Sequence, residues 1–199
     1  ETLPQRMDAH LANAKQVVAW LVEDQRIAYV NYAGLEDHPH HERAKKLLPL
    51  GVGSVFSFGV KATEKASGRL VGGEFIGALQ LASHLANIGD ARTLVLHPGS
   101  TTHQQLTAEQ LAAGGVGEDL IRISVGLEDV EDIIWDLDQA LTYATGLNHA
   151  GERVGESIAD KVVEAEEAVA AAKAAEDAAA AEAAAGASCS LPTTTQEEK

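Results

Sequence analysis

Leu120-Ile121-Arg122-Ile123-Ser124-Val125-Gly126 is the stretch that decides how this chain folds. Apolar and polar residues alternate through it. Ile121, Ile123 and Val125 therefore share one side of a strand over residues 120–125 and face a core, while Arg122 and Ser124 project from the opposite side. An arginine at the centre of a strand, rather than in a loop, offers a guanidinium fork held in place for bidentate capture of a carboxylate. The competing reading is an arginine paired with a nearby Asp or Glu, and taken alone the segment favours that one.

Working outward, residues 127–141 repeat apolar positions at helical spacing, with Glu128 and Asp129 placed against the positive N-terminal end. Residues 54–60 put Val55, Ser57 and Gly59 on one side of a strand. Phe56, Phe58 and Val60 lie on the other, so the phenylalanines should face the core. Residues 26–32 read as a strand ending in a turn at Gly34, and 93–96 as a short β run closed by Pro98 and Gly99. Met7, Leu11, Ala14, Val18 and Leu21 mark the apolar face of a helix over 4–23, with Pro4 in its first turn. Residues 40–48 and 75–85 read as further helices, and Thr107 opens a capping box with Gln110 on a helix that stops at Gly114 and Gly115. Four strands among five helices, with no repeated unit, predict an α/β fold in which a small sheet is covered on one face by helices.

The chain has 199 residues and a net charge of −15, which disfavours nucleic acid and anionic membrane surfaces as partners. Its one cysteine, Cys189, permits no internal disulfide, and a reducing cytoplasm fits best. No apolar run is long enough to span a bilayer. Beyond about Gly151 the composition turns to Ala and Glu. Residues 1–150 therefore read as the folded domain. Residues 151–199 read as a tail, helical over about 162–185 with nothing large to bury and then disordered. The first residue is Glu1, set directly against a helical pattern, which reads as a piece of a longer polypeptide.

Other candidate sites carry less. The turn His97-Pro98-Gly99-Ser100-Thr101-Thr102-His103 has two histidines with hydroxyls between them but no acidic ligand, and such turns commonly cap their own backbone. In His38-Pro39-His40-His41 the side chains should diverge from a helix start, which makes a surface feature a better reading than a zinc site. Gly51-Val52-Gly53-Ser54 precedes a strand, whereas a phosphate-cradling loop follows one and opens a helix. Residue chemistry alone reaches an α/β domain with Arg122 as a candidate carboxylate grip, the ion-pair reading still open.

The order of segments adds a resemblance. Residues 1–10 (Glu-Thr-Leu-Pro-Gln-Arg-Met-Asp-Ala-His), 32–41, 55–58, 83–90 (Ser-His-Leu-Ala-Asn-Ile-Gly-Asp), the His97 turn and 120–129 resemble, in register, successive C-terminal blocks of the Cys/Met metabolism pyridoxal-phosphate enzymes. The 83–90 block is similar to the O-acetylhomoserine sulfhydrylase branch, where related lyases carry serine in place of Asn87. Ala33, Gly99 and Lys61-Ala62-Thr63 depart from the family pattern. The resemblance implies the small C-terminal domain of a fold type I transferase, with a mostly antiparallel sheet. It implies pyridoxal 5'-phosphate as cofactor of the complete enzyme and replacement of the acetate of O-acetylhomoserine by sulfide to give homocysteine. It assigns Arg122 to the substrate α-carboxylate with Asn87 beside it, and it implies a homotetramer. None of the eight lysines lies in the family's Schiff-base motif, so the chain alone is expected to be inactive. An inactive regulatory partner of such an enzyme, or a cystathionine or methionine lyase, are the alternatives.

Overall fold

A computed structural model describes residues 2–101 and 108–187. Two compact units are present, Glu1–Lys161 and Val162–Lys199. Five strands, β1 (Ile27–Asn31), β2 (Val55–Val60), β3 (Ser83–His84), β4 (Leu94–Leu96) and β5 (Leu120–Ser124), form one mixed sheet in the order β1-β2-β5-β4-β3. All pairs are antiparallel except β3 with β4. The helices are α1 (Leu3–Glu23), α2 (His41–Leu47), α3 (Gly68–Ala78), α4 (Ala108–Ala113), α5 (Val130–Thr145) and α6 (Ile158–Ala187).

The alternation in β2 and β5 builds the core. Phe56 lies opposite Ile123 and Phe58 opposite Ile121, while Ile123 lies opposite Val95 of β4. All five are buried, as are Val17 and Leu21 of α1, Val71 and Phe75 of α3, and Leu137 and Leu141 of α5. Phe58 and Phe75 meet edge to face, 6.1 Å between ring centroids. Burial of each such side chain contributes about 1.5–3 kcal/mol, so this layer holds the sheet against the helices.

Two departures from the sequence expectation have identifiable causes. The helix expected over 75–85 instead spans Gly68–Ala78, capped by the Ser67 hydroxyl accepting from the Leu70 amide at 3.3 Å. It stops because the buried carboxylate of Asp136 draws off the next amides, Gln80 at 2.7 Å, Leu81 at 3.0 Å and Ala82 at 2.8 Å. The chain released there forms β3, so the sheet has five strands rather than four. Similarly, α5 begins at Val130 rather than 127. Glu128 turns away to accept the Thr93 amide and hydroxyl at 2.6 and 2.9 Å, and Asp129 caps the helix through the Glu131 amide at 2.9 Å. Gly146, at φ 72°, ends α5 in the left-handed conformation that glycine adopts without steric cost.

The first compact unit continues past Gly151: Leu147 bridges Arg153, the Ser157 hydroxyl donates to the Ala144 carbonyl at 2.7 Å, and Ala159 is buried. In the second unit every residue from Glu164 to Ala178 is exposed, and alanine propensity sustains the helix there without a packed face. The Thr107 half of the expected capping box, His103 and Cys189 lie outside the described residues.

Candidate functional site

Strand register decides what surrounds Arg122. Ser57 of β2 and Leu96 of β4 are its direct neighbours, and Ser57 in turn lies opposite Asn31 of β1. Neighbours across a sheet project from the same face. The row Asn31, Ser57, Arg122 and Leu96 therefore crosses the sheet on the side away from the phenylalanine layer. Arg122 is half-buried there. Ser124 projects to the same side, as expected, but is itself buried, so that face is closed at one end and open at the other.

Among the described residues no carboxylate lies within salt-bridge distance of Arg122. Its Nη2 donates instead to the Asn87 carbonyl oxygen at 3.4 Å. Arg122 and Asn87 thus come together, through the backbone of Asn87. The Asn87 side chain is occupied locally: Oδ1 accepts the Ile88 amide at 2.8 Å, and Nδ2 lies 3.5 Å from Asp90. Arg6 of α1 steadies this loop by donating to the Gly89 carbonyl at 2.6 Å. The Arg92 amide and then the Arg92 charge hold the Asp90 carboxyl below its usual range, keeping it ionised as the loop's acceptor.

Sequence reasoning missed the remainder of the row. The His38 Nε2 lies 2.8 Å from Asn31 Oδ1, and Asn31 Nδ2 donates to Ser57 Oγ at 3.4 Å. Beside them a cleft of about 520 Å³ is lined by Val30, Asn31, Asp37, His38, Pro39 and His40. The alternation of residues 54–60 does put Ser57 on the open face, but the strand that lies next to it, and in which register, has no local signal. In the histidine cluster, the His38 and His40 rings meet edge to face at 5.7 Å, and no group of side chains there is arranged to hold a metal among the described residues. At the sheet edge the Tyr29 ring lies over Gly59, where any Cβ would strike Tyr29 and Asp119. Burial, then the Asp119 charge, pushes the Tyr29 hydroxyl pKa up.

His97 is a structural residue of its turn. Fully buried, it accepts or donates at both nitrogens, Nδ1 with the Ser100 hydroxyl at 2.9 Å and Nε2 with the Glu118 carbonyl at 2.8 Å. Burial lowers its pKa, which keeps the ring neutral. Gly51 and Gly53, both at positive φ, lead into β2 and form no phosphate loop opening a helix.

The donor set of the open face suits a carboxylate and does not by itself make a pyridoxal phosphate site. The row Asn31, Ser57, Arg122 and Leu96 contains no amine to form an imine with the aldehyde, and a single guanidinium is its one cation. Among the described residues no helix is long and apolar enough to cross a membrane.

Comparison with known proteins gives the lineage. Residues 1–142 match the family model of Cys/Met metabolism PLP-dependent enzymes. The chain is 48% identical over 141 residues to O-acetyl-L-homoserine sulfhydrylase 1 of Thermus thermophilus, covering 71% of this chain and 32% of that protein. It is 46% identical over 145 residues to the homocysteine/cysteine synthase of Saccharomyces cerevisiae, covering 70% and 33%. It therefore spans about a third of the length of these relatives. Among solved structures, an O-acetylhomoserine (thiol)-lyase from Campylobacter jejuni, carrying pyridoxyl-lysine phosphate, superposes with a TM-score of 0.63 at 35% identity over 70% of this chain and 32% of that one. A cystathionine γ-lyase from Micromonospora echinospora gives 0.64 at 32% identity over 71% and 35%. With the family model covering residues 1–142 and these relatives agreeing, the chain belongs to the Cys/Met metabolism family of pyridoxal-phosphate-dependent enzymes.

Proposed function

We propose that the chain is the substrate-gripping C-terminal part of an O-acetylhomoserine sulfhydrylase, with Arg122 holding the amino-acid α-carboxylate beside Asn87. The observation that carries this reading is the guanidinium of a half-buried arginine, free of any carboxylate among the described residues, presented on the open face of the sheet. A fork so placed has donors left for a planar bidentate partner. In such an enzyme the cofactor supplies an electron sink during replacement of acetate by sulfide. This chain's own contribution is orientation: fixing the carboxylate fixes how the rest of the amino acid lies. The names of the relatives favour acetylated homoserine as substrate.

A second reading, a lyase acting on cystathionine, has the likeness to the Micromonospora structure in its favour. Both are tested by one graft. Residues 2–161 of this chain replace the matching segment of the Thermus thermophilus sulfhydrylase, and the cofactor-loaded chimera is assayed with O-acetylhomoserine plus sulfide and with cystathionine. Homocysteine from the first substrate pair supports the sulfhydrylase reading, provided Arg122→Met in the same chimera raises KM. Turnover of cystathionine alone supports the lyase, and a folded, loaded chimera that converts neither contradicts both.

A further inference from the structure

The polar row beside Arg122 has a direction. The His40 amide donates to His38 Nδ1 at 3.1 Å, so that nitrogen carries no proton and Nε2 does. Nε2 then donates to Asn31 Oδ1 at 2.8 Å, which fixes the amide orientation and turns Nδ2 toward Ser57 Oγ at 3.4 Å. Ser57 accepts in this chain, and its own proton is left to point elsewhere. Among the described residues nothing takes it. On the side away from Asn31, its directly opposed neighbour on that face is Arg122, and such neighbours have a Cβ separation of about 4.5–5.5 Å.

We infer that Ser57 is a second donor of the open-face site, aimed by Asn31 and His38 and giving its proton to the same carboxylate that Arg122 pairs with. This rests on the reading of Arg122 as a carboxylate grip. A carboxylate has about four lone-pair positions, and a guanidinium fork uses two of them. A hydroxyl beside the fork can take a third, as a charge-assisted bond of the strong class. The row also discriminates. Guanidinium and hydroxyl both present protons, so a neutral carboxamide would turn an N–H against a donor and be rejected. Asn31 and His38 are positioning residues: each acts through Ser57 and has no direct bond to the ligand.

Calorimetric titration of the full 199-residue chain with O-acetyl-L-homoserine, and separately with its α-carboxamide, tests this. The wild-type chain should bind the acid and not the amide. Ser57→Ala should weaken binding about ten- to a hundredfold, the scale of one bond to a charged group. Ser57→Thr, which keeps the hydroxyl, should restore it. Asn31→Leu should weaken binding in the wild-type background and add nothing in Ser57→Ala, the non-additivity of groups acting as a unit. Nitrogen-15 shifts of His38 should show a proton on Nε2 and none on Nδ1.

If Ser57→Ala binds as tightly as wild type with its urea midpoint unchanged, or Ser57→Thr is as weak as Ser57→Ala, the inference is wrong. The carboxylate reading survives that result as long as Arg122→Met weakens binding by at least roughly thirtyfold. If instead Arg122→Met binds like wild type, if the amide binds as well as the acid, or if the wild-type chain binds neither, the carboxylate reading itself falls and the inference with it.

Discussion

The Arg122 guanidinium lies 3.4 Å from the Asn87 carbonyl, so the middle of β5 is joined to the loop that follows β3, 35 residues earlier in the chain. That loop is where it is because Asp136 on α5 holds the backbone just before it. A helix on the buried side of the sheet therefore positions a site on the open side.

Asp136→Ala should destabilise the chain by about 3 kcal/mol, since three part-buried amides lose their buried acceptor at once. Urea unfolding measures this. Asp136→Asn, which keeps one carbonyl oxygen, should cost less, and equal costs for the two variants would show that the carboxylate does not organise this turn.

Stability should fall on acidification below about pH 6.5, the ordinary value for histidine, because burial depresses the pKa of His97. Between the folded and unfolded values the unfolded chain binds the extra proton, so protonation favours unfolding and the neutral ring's contribution is present only above that window. Urea midpoints should therefore drop from pH 7.5 to pH 5.5 more steeply for wild type than for His97→Gln. Parallel pH profiles would place the sensitivity in other groups.

Gly59→Val should displace Tyr29, because a Cβ at Gly59 meets both the tyrosine ring and the Asp119 carboxylate. Overpacking of this kind costs about 1–3 kcal/mol. The Tyr29 hydroxyl should then titrate nearer its ordinary value as the ring leaves the shelter of the sheet edge and the Asp119 charge, which ultraviolet titration would follow. An unchanged tyrosine titration would mean that the ring does not depend on the glycine.

The parts of this architecture legible in the sequence were those written in local periodicity. The side-chain alternation of 54–60 and 120–125 correctly divides Phe56, Phe58, Ile121 and Ile123 from Ser57 and Arg122. The apolar spacing of Met7 to Leu21 marks α1 within a residue of its start. What was not legible depends on partners distant in the chain. The end of α3 is set by a carboxylate 56 residues from Gln80, and the start of α5 by Glu128 turning to Thr93, 35 residues away. Asn31 and Ser57 are 26 residues apart, and only the pairing of β1 with β2 makes them neighbours of Arg122. The resemblance supplied Arg122 and Asn87 by pattern, but the contact between them through the Asn87 backbone is a fact of the fold.

The central claim is that the open face grips a carboxylate through Arg122, and the Arg122 Nε–H resonance of the nitrogen-15-labelled chain reads it most directly. On addition of O-acetyl-L-homoserine that resonance should move and saturate, and Arg122→Met should weaken affinity by at least roughly thirtyfold, equivalent to about 2 kcal/mol for a lost charge-assisted pair. An Arg122 resonance that stays fixed while O-acetyl-L-homoserine binds elsewhere on the chain would contradict the claim.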